Sequence, residues 1–157
     1  MPATLDDRVA VRALLGRDPA AEFEVVVRAA DGTPVVIRNA PFTVDGTPMP
    51  TRYWLVGPEW NRAVSRLEAA GGVREAEQVV DRDAIAHAHL VYAAERDADI
   101  AADHVGPRPS GGVGGTRLGV KCLHAHVAWY LAGGADPVGA WAVARLEARP
   151  DRAEDAP

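Results

Sequence analysis

Cys122, His124 and His126 stand close together at the end of a glycine-rich run, SGGVGGTRLG. The stretch Ser110–Tyr130 holds five of the fifteen glycines, the only cysteine and two of the five histidines. A thiolate is a nucleophile or metal ligand, and imidazole is a base or a ligand. A glycine loop that runs into a helix also offers unpaired N–H groups to an anion. Gly114 and Gly115 would form that loop. Arg117 and Lys121, four residues apart, would add charge on one helical face. The run is not a Walker A loop: Val120 separates Gly119 from Lys121, and Cys122 stands where Ser or Thr is needed. The segment reads either as a phosphate or carboxylate site or as a flexible linker between helices.

Helical geometry divides these groups. A helix from Arg117 to Leu131 puts Cys122 and His126 on one face and turns His124 inward, toward Val120, Val127 and Leu131. His87 and His89 divide the same way on an earlier helix. Only His89 joins its apolar stripe, with Ile85, Tyr92 or Ala93, and Ile100. His89 and His124 are therefore expected to meet in the core. Three readings stay open. The first is a catalytic thiol activated by Lys121 and His126, for which no orienting carboxylate or oxyanion hole is identifiable. The second is a zinc site from Cys122, His89 and one of His124 or His126. It is disfavoured because the spacing matches no zinc motif. The third is a buried cysteine among hydrogen-bonded core histidines. The charges Glu95, Arg96, Asp97 and Asp99 read as a solvated helix face. The stiff DGTPMPTRYW segment reads as the approach to a strand. The four tryptophans read as core or interface anchors.

The elements that must position these groups are legible from punctuation. Thr4 and Asp7 form a capping box for a short helix with Val9, Leu14 and Leu15 on one face, stopped at Gly16 and Pro19. Glu22–Ala29 and Val35–Ile37 flank Asp31-Gly32 as a hairpin. Pro41–Pro50 is a turn-rich connection, and Arg52–Val56 is a third strand. Pro58 opens a helix carrying Trp60, Val64 and Leu67, which ends at Gly71-Gly72. A long helix is expected over Arg74–Asp103, then the glycine segment and the Cys122 helix, closed by Gly133-Gly134. Asp136 caps a last helix running from Pro137 to about Ala148. The fold class is α+β: a small three-stranded antiparallel sheet packed with about five helices in a single domain, 1–149. Residues 150–157 are expected to form a flexible charged tail.

Composition narrows the function classes. An apolar fraction of 48% and a charged fraction of 25% are ordinary for a globular chain. At 157 residues, one core is expected. No apolar run of about 18 residues suggests a membrane span, and the N-terminus does not read as a secretory leader. A single cysteine forms no internal disulfide and agrees with a cytoplasmic location. A net charge of −5 argues against broad nucleic-acid binding.

The motifs DGTPMPTRYWLVGPEW, SRLEAAGG and VKCLHAHVAWYLAGGADPVG, in this order and spacing, resemble an actinobacterial family catalogued as domain of unknown function 501. The resemblance spans roughly Leu15–Val143. Its pattern falls on Arg28, Asp45, Gly46, Pro48, Pro50, Thr51, His89, Lys121, Cys122, Leu123, His124, Gly134 and Pro137. Two departures matter. The family often has a cysteine after the arginine of the first strand, where this chain has Ala29. The position of His126 is usually aliphatic. The resemblance thus implies weight on His89 and His124, less on His126, and less on zinc. The family's gene neighbourhood, beside septum-formation and exopolyphosphatase genes, implies an association with cell division. The expected site combines Cys122, His124 and His89 as reactive groups with Arg28, Gly114, Gly115, Arg117 and Lys121 as ligand-binding groups. The expected ligand is small, anionic and phosphorylated. The expected chemistry is that of a thiol- or histidine-dependent hydrolase or transferase. The alternative is a non-enzymatic protein-interaction module.

Overall fold

The computed structural model describes residues 1–148. The N-terminal helix α1, Leu5–Leu15, opens on the expected reciprocal cap. Thr4 Oγ1 accepts the Asp7 N–H, and the Asp7 carboxylate accepts the Thr4 N–H, both at 3.1 Å. Val11 is its fully buried residue, with Leu14 and Leu15 half-buried. Val9, expected on that face, is 70% exposed.

Strands β1, Ala21–Arg28, and β2, Pro34–Thr43, pair antiparallel across the Asp31-Gly32 turn. The Asp31 carboxylate accepts the Thr33 N–H at 2.9 Å and closes that turn. β2 runs past Ile37 and takes the first residues of the expected connection into the sheet. The chain then returns through Asp45-Gly46, and Phe42 bridges Pro48. Strand β3, Tyr53–Leu55, completes the antiparallel order β1-β2-β3.

Pleating sorts the side chains onto two faces. Ile37 and Trp54 turn toward α1, with Val11, Phe23 and Val56. Val36, Tyr53 and Leu55 turn the other way, into a larger core. That core is shared with α2 (Pro58–Ala69), α3 (Gly72–Val79), α4 (Arg82–Asp97), α5 (Leu123–Leu131) and α6 (Pro137–Glu147). Burial of each large apolar side chain there stabilises by about 1.5–3 kcal/mol. The result is one α+β domain with six α-helices among the described residues.

Two expected helices are shorter than their apolar spacing suggested. The Arg74–Asp103 helix is cut where Val80 turns extended and Asp81 caps α4 through the N–H groups of Asp83 and Ala84. The Arg117–Leu131 helix begins only at Leu123. The tail expected over 150–157 lies outside the described residues. Among the described residues no helix is long and apolar enough to cross a membrane.

Candidate functional site

The late start of α5 follows from where its flanking N–H groups go. Gly119 takes a left-handed φ of 65° and Cys122 an extended φ of −151°, so neither continues a helix. The Val120 N–H donates to Glu77 Oε1 at 2.8 Å, and the Leu123 N–H donates to Glu68 Oε1 at 3.0 Å. Carboxylates from α3 and α2 thus hold the segment outside the helix. Arg117 and Lys121 do not lie one helical turn apart, and Cys122 and His126 do not share a helical face. Both were expected, and both depended on the longer helix.

A cleft of about 360 Å³ runs along the outer edge of β3. Leu15 and Arg17 line it from the end of α1, and Tyr53, Trp54 and Leu55 from the strand. Gly114, Lys121, Cys122, His124 and Ala125 line it from the glycine segment and the start of α5. The strand edge itself is blunted. The Tyr92 hydroxyl accepts the N–H groups of Arg52 and Tyr53 at 2.6 and 3.2 Å, and Asn61 Nδ2 donates to the Leu55 carbonyl at 2.8 Å. Burial raises the Tyr92 phenol well above its ordinary range and keeps it neutral. The Arg17 guanidinium lies 5.4 Å over the Trp54 ring, so a cation and an indole share one wall.

His124 does not point into the core. It is half-buried, and its Nδ1 donates to Glu68 Oε1 at 2.7 Å. Its Nε2 faces Ser65 Oγ at 3.1 Å. Sequence reasoning missed both partners. Ser65 and Glu68 share a face of α2 at a spacing of three, but nothing local announces a partner 56 residues away.

His89 lies behind the cleft rather than in it. It is 3% exposed and both ring nitrogens are engaged: Nδ1 accepts the Val113 N–H at 3.0 Å, and Nε2 donates to the Gly119 carbonyl at 2.8 Å. These bonds select the neutral ring, and burial lowers its pKa below the ordinary histidine value. His89 therefore shapes the glycine segment. Gly112 allows the approach, since a Cβ there would sit 2.5 Å from His89 Cα.

Arg96, expected on a solvated face, is 1% exposed. Its guanidinium donates to the carbonyls of Pro50 and Gly111 at 3.1 and 2.9 Å and to Asp97 at 2.8 Å. One buried cation thus ties the glycine segment to the approach to β3. Neighbouring Glu95 accepts from Trp129 Nε1 at 3.1 Å and from the Tyr53 hydroxyl. Arg96 and Glu95 brace the interior, while the Asp97 and Asp99 side chains stay 38% and 53% exposed, as a solvated face requires.

His126 is also internal. Its Nδ1 donates to Asp136 Oδ2 at 2.6 Å, while Asp136 Oδ1 caps α6 through Val138 and Gly139. The outer His126 nitrogen, Nε2, is buried without a partner, and its ring centroid lies 5.9 Å from that of His89.

Of the eight expected site residues, the structure brings Gly114, Lys121, Cys122 and His124 to one cleft. Gly115 flanks it against Pro50. Arg117 is exposed, with no side-chain partner among the described residues. Arg28 stands at the β1–β2 hairpin, bound to Asp7 at 2.6 Å, and does not line the cleft. No group of three or more His, Cys, Asp or Glu side chains among the described residues is arranged to hold a metal ion.

Comparison with curated proteins and with solved structures finds no match. A family model described as "Protein of unknown function (DUF501)" matches residues 25–144, which takes in the whole sheet from Val25 onward, the cleft apart from its α1 wall, and both histidine–carboxylate pairs. The chain belongs to the DUF501 family.

Proposed function

We propose that the cleft beside β3 binds a small anionic ligand, of the phosphorylated-metabolite class, and that Cys122 and His124 give it hydrolase or transferase chemistry. The observation that carries this reading is the convergence of Lys121, Arg17 and His124 with the start of α5 on one concave surface. Glu68 already takes the Leu123 N–H at the start of α5, so the charge for a ligand anion comes from Lys121 and Arg17. Lys121 is exposed at that end and supplies a full charge. The half-buried Trp54 ring offers a flat apolar wall for the rest of the ligand. Glu68 is the orienting carboxylate that a histidine base needs.

A thermal-shift series tests the binding. Inorganic phosphate and phosphorylated metabolites are expected to raise Tm, and neutral analogues to leave it unchanged. Lys121→Ala and Arg17→Ala are expected to remove the shift. A Tm that ignores every anion, or responds equally in Lys121→Ala, overturns the reading. Alkylation of Cys122 at neutral pH tests the thiol: a rate no higher than that of a free thiol argues against its use as nucleophile.

A further inference from the structure

We propose that Ser65, His124 and Glu68 form a nucleophile–base–orienter triad that cleaves a small carboxylic ester or thioester. This deepens the hydrolase reading and rests on His124 as its base, but it moves the nucleophile from Cys122 to Ser65.

The geometry is that of an acyl-transfer triad, which is recognised by roles and distances rather than by chain order. Glu68 is fixed first. Its Oε1 accepts the Leu123 N–H at 3.0 Å, so the carboxylate is anchored to the first residue of α5. The same oxygen accepts a hydrogen bond from His124 Nδ1–H at 2.7 Å. An ionised carboxylate only accepts, so this bond leaves the neutral ring with a bare Nε2. That nitrogen faces Ser65 Oγ at 3.1 Å, within reach for proton transfer, and the hydroxyl donates to it. Ser65 is exposed, so an acyl carbon can approach it. Asn61, one turn earlier on the same face of α2, lines the cleft, as does His124. Ser65 itself is reached through His124, the ring that lines the cleft.

The step balances without a cofactor. Ser65 Oγ bonds to the acyl carbon as its proton passes to His124 Nε2. The bond to the leaving oxygen or sulfur breaks, and that atom takes the proton from His124. Water then attacks the acyl carbon and gives a proton to His124. The Ser65 oxygen leaves and recovers that proton. Ser65 and His124 are the catalytic residues, and Glu68 is a positioning residue.

Covalent labelling of the full chain with a fluorophosphonate probe tests this. Ser65 Oγ bonds phosphorus, fluoride leaves, and the proton goes to His124. The expected result is one adduct, located on Ser65 by peptide mapping. It is absent in Ser65→Ala and slowed about a hundredfold in His124→Gln, with Tm within reach of the parent. Glu68→Gln slows labelling, and Glu68→Asp restores part of the rate, which a purely structural cap would not do. No adduct, an adduct on Cys122, or labelling of Ser65 at an unchanged rate in His124→Gln overturns the proposal. The phosphate-induced Tm shift reads the anion cleft separately. A chain that binds phosphate but does not label at Ser65 loses the triad and keeps the cleft.

Discussion

Two histidine–carboxylate pairs leave α5 two residues apart, and burial separates their roles. In His124–Glu68 the side chains are 30% and 26% exposed, the ring lines a cleft, and its outer nitrogen meets the Ser65 hydroxyl. In His126–Asp136 they are 1% and 0% exposed, and the outer nitrogen meets nothing. The chemistry of the two pairs is the same. A half-exposed pair has a ring that solvent can reach. A sealed pair ties α5 to the N-terminus of α6 and contributes to the fold instead. Residue type and spacing along α5 do not distinguish the two, whereas the neighbouring helices do.

The comparison breaks most visibly at Asp136. Asp136→Ala removes the acceptor for His126 and the cap on Val138 and Gly139 at once, leaving a buried polar ring unpaired. The expected loss is about 3–5 kcal/mol, read as a lower urea midpoint at unchanged slope. A loss below about 1 kcal/mol would show that the core tolerates an unpaired His126 and that burial is not the dividing feature. Gly112→Ala comes next. Its Cβ would meet His89 Cα at 2.5 Å, so the glycine segment must shift, at about 1–3 kcal/mol. Because that segment carries Gly114 and Lys121, the phosphate-induced Tm shift is expected to fall with stability. A destabilised variant that binds phosphate normally would separate the His89 brace from the cleft.

Glu68→Ala sharpens the contrast from the exposed side. It removes an acceptor from Leu123 N–H and from His124, yet solvent replaces both. The expected stability loss is about 1 kcal/mol, typical of a lost cap. Its main effect is expected in Ser65 labelling rather than in Tm. If Glu68→Ala destabilises as much as Asp136→Ala, the exposed pair is a structural link like its neighbour.

Legibility followed the range of the interactions. The Thr4–Asp7 box, the Asp31-Gly32 hairpin, the Pro58 start and the Asp136 cap are decided within a few residues, and each is where local rules put it. The gathering of Gly114, Lys121, Cys122 and His124 at one place was also legible. The direction of His124 was not, because Glu68 and Glu77 claim the N–H groups of Leu123 and Val120 from other helices and delay α5. Arg96 was misread for the same reason. Its carbonyl partners, Pro50 and Gly111, come from distant loops, and no charge pattern on α4 marks them. Arg28 fits an anion site by type, yet Asp7 of α1 already holds it.

The gentlest break is pH, and it acts through His89 of α4, whose ring lies tilted beside His126 with centroids 5.9 Å apart. Burial favours its neutral ring, the Gly119 carbonyl favours the charged one, and nearby His126 and Asp136 oppose each other. The net effect places its folded pKa below the ordinary 6.5. Between those values the unfolded chain binds a proton that the folded chain refuses, so stability rises with pH. Its contribution is complete above 6.5 and is lost as pH falls through the folded value. The urea midpoint is therefore expected to drop between about pH 7.5 and about pH 5.5, and to drop less in His89→Gln, which has no proton to gain. Equal slopes in the parent and His89→Gln would show that the buried His89 ring does not carry the pH sensitivity, and that its sealing between Val113 and Gly119 is purely structural.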